Sequence, residues 1–189
     1  MNFIEFAQRT INALNNSGVN YVIVGGILVS YYGEPRVTRD IDVIIDVKPE
    51  EDDKISQLVK SFEENELCVI GGKNRIKEAL FEKSHFTIFN KSYLYWVDAK
   101  GVYDILDKLA IETKVKGKLF GKEAWIEAPE VLVISKLSLY YSERGIEDAK
   151  SIIRVSWDKL NKKRLKALAE KFGVLFRLRK ILQELDLEL

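Results

Sequence analysis

The stretch VGGILVSYYGEPRVTRDIDVII, Val24 to Ile45, sets two adjacent glycines after a short β-branched run and two aspartates at alternate positions of a later apolar one. Tyr21 to Val24 predicts a strand, Gly25-Gly26 breaks it, and Ile27 to Tyr32 predicts a short helix with Gly33 as its C-terminal cap. Glu34 to Arg39, with Pro35, reads as a loop. Asp40 to Val47 then alternates strictly: Ile41, Val43, Ile45 and Val47 fall on one face, and Asp40, Asp42 and Asp46 on the other with Ile44. Strand, glycine turn, helix, loop and strand in so short a span predict an α+β fold, and everything else is read outward from it.

Upstream, Phe3, Ile4, Ala7, Ile11 and Leu14 share one helix face that ends at the turn formers Asn15 to Gly18. Downstream, Pro49 followed by Glu50, Glu51, Asp52 and Asp53 marks a helix start, because proline suits the first turn and acids favour the positive end of the helix dipole. Ile55, Leu58, Val59 and Phe62 form its buried stripe. Strands are predicted at Leu67 to Ile70, His85 to Phe89 and Leu94 to Asp98, with a small helix over Ile76 to Phe81. A helix over Tyr103 to Ile111 follows, then a strand pair, Lys118 to Trp125, across a turn at Phe120-Gly121. From Pro129 onward helical spacing dominates: Val131, Ile134, Leu137 and Tyr141; Ala149, Ile152 and Ile153; Leu160, Leu165, Leu168 and Phe172; Leu175, Leu178, Ile181 and Leu182. The expected architecture is a small mixed sheet flanked by helices, residues 1–127, with a helical C-terminal region, 128–189, packed on it.

With 189 residues, 47% of them hydrophobic, the chain is long enough to bury a core, and 31% charged residues suit a globular surface. The N-terminal MNFIEFAQRTINAL carries Glu5 and helix-face spacing instead of the basic start and unbroken apolar core of a leader. The longest uncharged run, Tyr21 to Gly33, is short of the ~18 to 20 residues of a membrane span. One cysteine, Cys68, excludes an internal disulfide; its run LCVI predicts burial, and the expected location is the cytoplasm. The single histidine, His85, leaves a Ser-His-Asp triad or a histidine-rich metal site without parts, and no role is assigned to it. Tyr93, Tyr95 and Trp96 read as core and sheet surface. The net charge is only +1, yet Asp158 to Lys180 holds nine Lys or Arg against two acids. A solvated amphipathic face explains those helices, and binding of a phosphate backbone is the alternative.

Asp40 and Asp42 share a strand face ~6.5 to 7 Å apart at the backbone, so their carboxylates can converge on one cation. A hard divalent ion such as Mg²⁺ resolves their mutual repulsion and takes its remaining ligands from phosphates and water. The glycine pair before a helix start offers bare N–H groups that an anion can approach. A third carboxylate would complete a two-metal site, and Asp98 is the candidate, since Leu94, Trp96 and Asp98 share one face of a later strand. That requires the two strands to be neighbours.

Gly25-Gly26, thirteen intervening residues, then Asp40-Ile41-Asp42 resembles the signature of the nucleotidyltransferase superfamily with the polymerase β fold. Further segments are similar to its AbiEii-like group, some of whose members belong to toxin–antitoxin systems. They are PRVTRDID with Arg36 and Thr38, APEVLVISKL with Lys136, and SERGIEDAKSII with Arg144 and Asp148. The resemblance covers roughly Val19 to Val155. It implies that Asp40, Asp42 and Asp98 bind two Mg²⁺ ions and carry transfer of a nucleoside monophosphate from an NTP to a hydroxyl. It implies nucleotide contacts from Gly25, Gly26, Arg36, Thr38 and Lys136, and a pair between Arg144 and Asp148 that orients the nucleotide. The acceptor stays open among a protein side chain, an RNA 3′ end and a small molecule, with a macromolecule expected and a cognate toxin or antitoxin partner in view.

The plainer alternatives are a ligand-free tight turn at the glycines, a solvated edge-strand face for Asp40 and Asp42, and a turn-capping role for Asp98. Lys136 would then snorkel from an apolar helix, and Arg144 and Asp148 would be an ordinary i,i+4 pair. At the level of function the rival is a non-catalytic, antitoxin-like module of the same fold that binds protein or nucleic acid.

Overall fold

The computed structural model describes residues 1–92, 94–138 and 142–189, so the expectations for Tyr93 and Tyr141 lie outside the described residues. The elements run α1 (Phe3–Asn16), β1 (Tyr21–Val24), α2 (Gly26–Tyr32), β2 (Asp40–Ile45), α3 (Asp52–Glu64), β3 (Leu67–Val69), α4 (Gly72–Phe81), β4 (His85–Asn90), β5 (Trp96–Lys100), α5 (Ile105–Glu112), β6 (Val115–Leu119), β7 (Lys122–Ile126), α6 (Pro129–Ser138), α7 (Glu143–Ser156), α8 (Lys162–Lys171) and α9 (Leu175–Glu184). The chain divides into two compact units, Met1–Ile27 with Val37–Ile126, and Leu28–Arg36 with Glu127–Leu189. A linear cut at residue 127 leaves 28–36 with the first unit; the fold puts that stretch with the C-terminal helices. Among the described residues no helix is long and apolar enough to cross a membrane.

The first unit carries a seven-stranded mixed sheet in the order β3-β4-β5-β2-β1-β7-β6. β2 runs antiparallel to β1 and parallel to β5, so the aspartate strand is central and the edge-strand alternative for Asp40 and Asp42 is excluded. One face of the sheet is core: Ile41, Val43, Ile45, Phe86, Ile88, Val97 and Ala99 are each at most 2% exposed. The buried stripes of α1 and α3, with Phe6, Ile11, Leu14, Ile55, Leu58 and Phe62, supply the rest of that core. Strand pleating turns the alternate residues to the opposite face, where Asp40, Asp42, Thr87, Phe89, Trp96, Asp98 and Lys100 are half-buried and His85 is exposed.

Several predicted boundaries move for local reasons. β5 starts at Trp96, two residues later than expected, because the Asn90 Oδ1 accepts from the N–H of Leu94 and of Tyr95 (3.1 and 3.3 Å) and holds them in the β4–β5 turn. α4 starts at Gly72, ahead of the apolar residues that signal it, behind Gly71 at φ +73°. The β6–β7 hairpin extends beyond the expected pair, and both residues of its two-residue turn, Phe120 and Gly121, take positive φ (49° and 80°), which matches the right-handed twist of the strands. Cys68 corrects the expectation of burial: Leu67 and Val69 point inward and Cys68 outward on the edge strand β3, an alternation that a short apolar run cannot reveal.

In the second unit the apolar faces of α6 to α9 meet through Val131, Ile134, Leu137, Ile152, Leu165, Leu178 and Ile181, all at most 2% exposed. The segment 28–36 is tied in by side chain to backbone bonds. The Tyr32 hydroxyl donates to the Glu127 carbonyl (2.9 Å), and burial pushes that phenol upward, so it remains a donor across the physiological range. The Ser156 hydroxyl donates to the Tyr32 carbonyl, and the Glu34 N–H donates to Ser151 Oγ (2.7 Å). Gly33 is needed for space, since a Cβ there would lie 2.5 Å from Ser151 Oγ.

Candidate active site

The half-exposed sheet face reads as rows across paired strands. In the row that matters most, Asp42 on β2 stands opposite Asp98 on β5, which stands opposite Thr87 on β4. Adjacent strands are ~4.8 Å apart, so the third predicted carboxylate is a direct lateral neighbour of the second. One row toward the start of β2 run Asp40, Trp96, Phe89 and Cys68, with the Phe89 and Trp96 rings 6.3 Å apart. The fold therefore brings Asp40, Asp42 and Asp98 together on one face.

Each carboxylate has a neighbour that orients it. Thr38 Oγ1 donates to the Asp40 carboxylate from the loop just before β2. The Gly26 N–H donates to Asp42 Oδ2 (3.3 Å). Gly25 adopts φ +74°, and a Cβ there would lie 1.9 Å from Asp42 Oδ2, so only glycine lets the β1–α2 turn pass this close to the carboxylate. The glycine pair, expected as an anion seat, thus has Asp42 as the visible partner of its second N–H.

Asp98 Oδ2 lies 3.0 Å from His85 Nδ1, with the two side chains 34% and 54% exposed. His85, given no role from sequence, is the site residue that sequence reasoning missed. It starts β4, antiparallel to β5, and stands opposite Lys100, one diagonal step from Asp98. Only knowledge of that pairing puts the imidazole beside the carboxylate.

As the side chains stand, no three His, Cys, Asp or Glu among the described residues are gathered to hold a metal ion. Thr38, Gly26 and His85 each draw one carboxylate to a separate partner. The donor set itself fits a hard divalent cation: carboxylates on neighbouring strands, with Gly25 leaving room for the Asp42 carboxylate beside the turn.

In the second unit Asp148, its side chain 8% exposed, lies 3.0 Å from Lys136 Nζ and 3.4 Å from Arg36 Nε. The i,i+4 pair expected between Arg144 and Asp148 gives way to this triad. Asp148 faces α6 from the buried side of α7, where Gly145 allows close approach; a Cβ at Gly145 would sit 2.7 Å from the Lys136 carbonyl. Arg144 is exposed in the first turn of α7. The triad thus gathers two cations around one buried carboxylate. Replacing Asp148 by alanine leaves those two cations facing each other, and the expected cost is about 2 to 3 kcal/mol, toward the low end for breaking a buried pair because both partners keep some exposure. Urea unfolding measures it, and an unchanged midpoint would show that the triad does not stabilise this unit.

No protein-family model matches the chain, and no curated protein sequence matches it. Solved structures do. The crystal structure of ANT(2″)-Ia in complex with adenylyl-2″-tobramycin aligns over 92% of this chain and 98% of its own, at 12% identity and a TM-score of 0.55. The lincomycin-bound lincosamide antibiotic adenylyltransferase LnuA aligns over 80% and 96%, at 13% identity and a TM-score of 0.51. An antigenic nucleotidyltransferase-like protein from Paracoccidioides brasiliensis aligns over 96% and 88%, at 18% identity and a TM-score of 0.51. The fold is that of these nucleotidyltransferases, and the α+β architecture read from the sequence is the one found.

Proposed function

We propose that the protein is a nucleotidyltransferase that moves a nucleoside monophosphate from an NTP to a hydroxyl. One observation carries the reading: Asp98 stands in register opposite Asp42 on a neighbouring parallel strand, on the face that also bears Asp40. Likeness of fold to LnuA, named as an antibiotic adenylyltransferase, and to ANT(2″)-Ia, solved with adenylyl-2″-tobramycin, agrees with it. Asp40, Asp42 and Asp98 are the residues that would hold two Mg²⁺ ions, which when bound neutralise triphosphate charge and polarise the reacting phosphate.

The chain's own part is positioning and proton transfer. Asp98 accepts the proton of the acceptor hydroxyl; that oxygen bonds to the α-phosphorus while the bond to the β-phosphate oxygen breaks, and pyrophosphate leaves with the electron pair. His85 holds one oxygen of Asp98 and so fixes which way the carboxylate faces. Thr38 and Gly26 orient Asp40 and Asp42 in the same manner. Gly25, Gly26, Arg36, Thr38, Lys136, Arg144 and Asp148 are proposed nucleotide-binding residues. A macromolecular acceptor, protein or RNA, in the cytoplasm and in a toxin–antitoxin context completes the proposal. A small-molecule acceptor is its counterpart among the antibiotic-modifying structures.

The test is incubation with Mg²⁺, each α-labelled NTP and cell extract, with protease, ribonuclease and filtration separating the acceptor classes. One nucleotide is expected to label one class. Absence of label from all four NTPs, together with no thermal shift on adding Mg²⁺ and ATP, would overturn the reading.

A further inference from the structure

We propose that the outward faces of α8 and α9 form a binding surface for single-stranded nucleic acid. This inference does not rest on the transferase reading. It begins with charge: Asp158 to Lys180 carries nine Lys or Arg against two acids in a chain whose total is +1. A local excess of that size on two short helices needs an anionic counterpart or full solvation.

The structure sorts those cations. Arg164 faces the buried Glu130 (3.7 Å), and Arg177 donates to the Leu137 carbonyl (2.5 Å), so both serve the interior of the unit. Lys162, Lys163 and Lys166 on α8, and Arg179 and Lys180 on α9, are exposed. The two sets meet, since Lys166 and Arg179 line one cleft; Asp186 and Glu188 line it as well and bound the cationic strip at the C-terminal end.

The second observation is apolar. Phe176 is 81% exposed, three residues before Arg179 and four before Lys180 on α9, a spacing that puts all three on one helix face. A ring on the same face as two cations suits this use, because bases stack on aromatic rings in sequence-tolerant binding of single strands. An anionic membrane fits less well, because the apolar faces of both helices are turned inward: Leu165, Ala169, Leu178, Ile181 and Leu182 are at most 3% exposed.

Fluorescence anisotropy with a 5′-labelled 20-nucleotide RNA of mixed sequence tests the surface. The expected association constant falls with salt with a log–log slope of about −3, as for four to five neutralised phosphates at ~0.7 each. K166E/R179E/K180E is expected to weaken binding at least tenfold and flatten that slope. F176A is expected to weaken RNA binding several-fold with the slope unchanged and heparin binding unaffected. All four side chains are exposed, and circular dichroism and melting temperature verify that the variants fold. Absence of RNA binding at 50 mM salt overturns the proposal, as does binding that the charge reversals leave intact. So does equal loss of heparin and RNA binding in F176A, or capture by phosphatidylserine vesicles in place of RNA. A variant with Asp40 and Asp42 changed to asparagine should bind the RNA as the wild type does, which separates failure here from failure of the transferase reading.

Discussion

Replacing both Asp40 and Asp42 by asparagine is expected to lower nucleotidyl transfer by at least ~10³-fold while leaving the fold intact. The magnitude follows from removing preorganised charge from the place where phosphoryl charge develops, which costs ~10² to 10³ for a single group in well-studied sites. Stability should hold or rise slightly, because asparagine keeps the shape and the acceptor oxygens used by Thr38 and Gly26 while two like charges on one strand face are neutralised. Label transfer, the thermal shift with Mg²⁺ and ATP, and the melting temperature together decide. Wild-type transfer by the double variant would sink the proposed role of the pair.

Gly25→Ala should have the second largest effect, and it should appear in both stability and activity. Alanine at φ +74° is strained, and its Cβ would fall 1.9 Å from Asp42 Oδ2 and 2.8 Å from Asp42 Cβ, so turn or carboxylate must move. The strain alone costs ~1 kcal/mol or more, and displacement of Asp42 brings the expected loss to about 2 to 3 kcal/mol, or roughly 5 to 10 °C in melting temperature for a chain of this size. Transfer should fall by ~10²-fold through misplacement of Asp42. Gly72→Ala is the natural comparison, because Gly72 also has positive φ (60°) but nothing within 4 Å of an added Cβ. Equal losses for the two variants would mean that backbone strain, not the approach to Asp42, makes Gly25 necessary.

Some of the site was legible in the chain because its signal is local. Strict alternation over Asp40 to Ile45 puts Asp40 and Asp42 on one face whatever the rest of the fold does, and the glycine pair marks a turn wherever the strand before it goes. Other features were hidden because their signal is a pairing. Asp98 lies more than fifty residues beyond Asp42, and only the parallel register of β2 with β5 makes the two neighbours. His85 becomes a partner of Asp98 through the antiparallel register of β4, and Asp148 takes Lys136 in place of Arg144 because α6 faces it across the small residue Gly145.

By itself, then, the sequence determined the elements around Val24 to Ile45, the α+β class and the shared face of two aspartates, all of which follow from residue periodicity and backbone preference within a few residues. The tertiary structure alone decided that the aspartate strand is central, that a third carboxylate and an imidazole stand beside it, that Cys68 points outward, and which cations of α8 and α9 are exposed. Those are facts about which strand or helix lies next to which. Strand order and helix packing arise from burying apolar faces over the whole chain, and no short stretch carries that information.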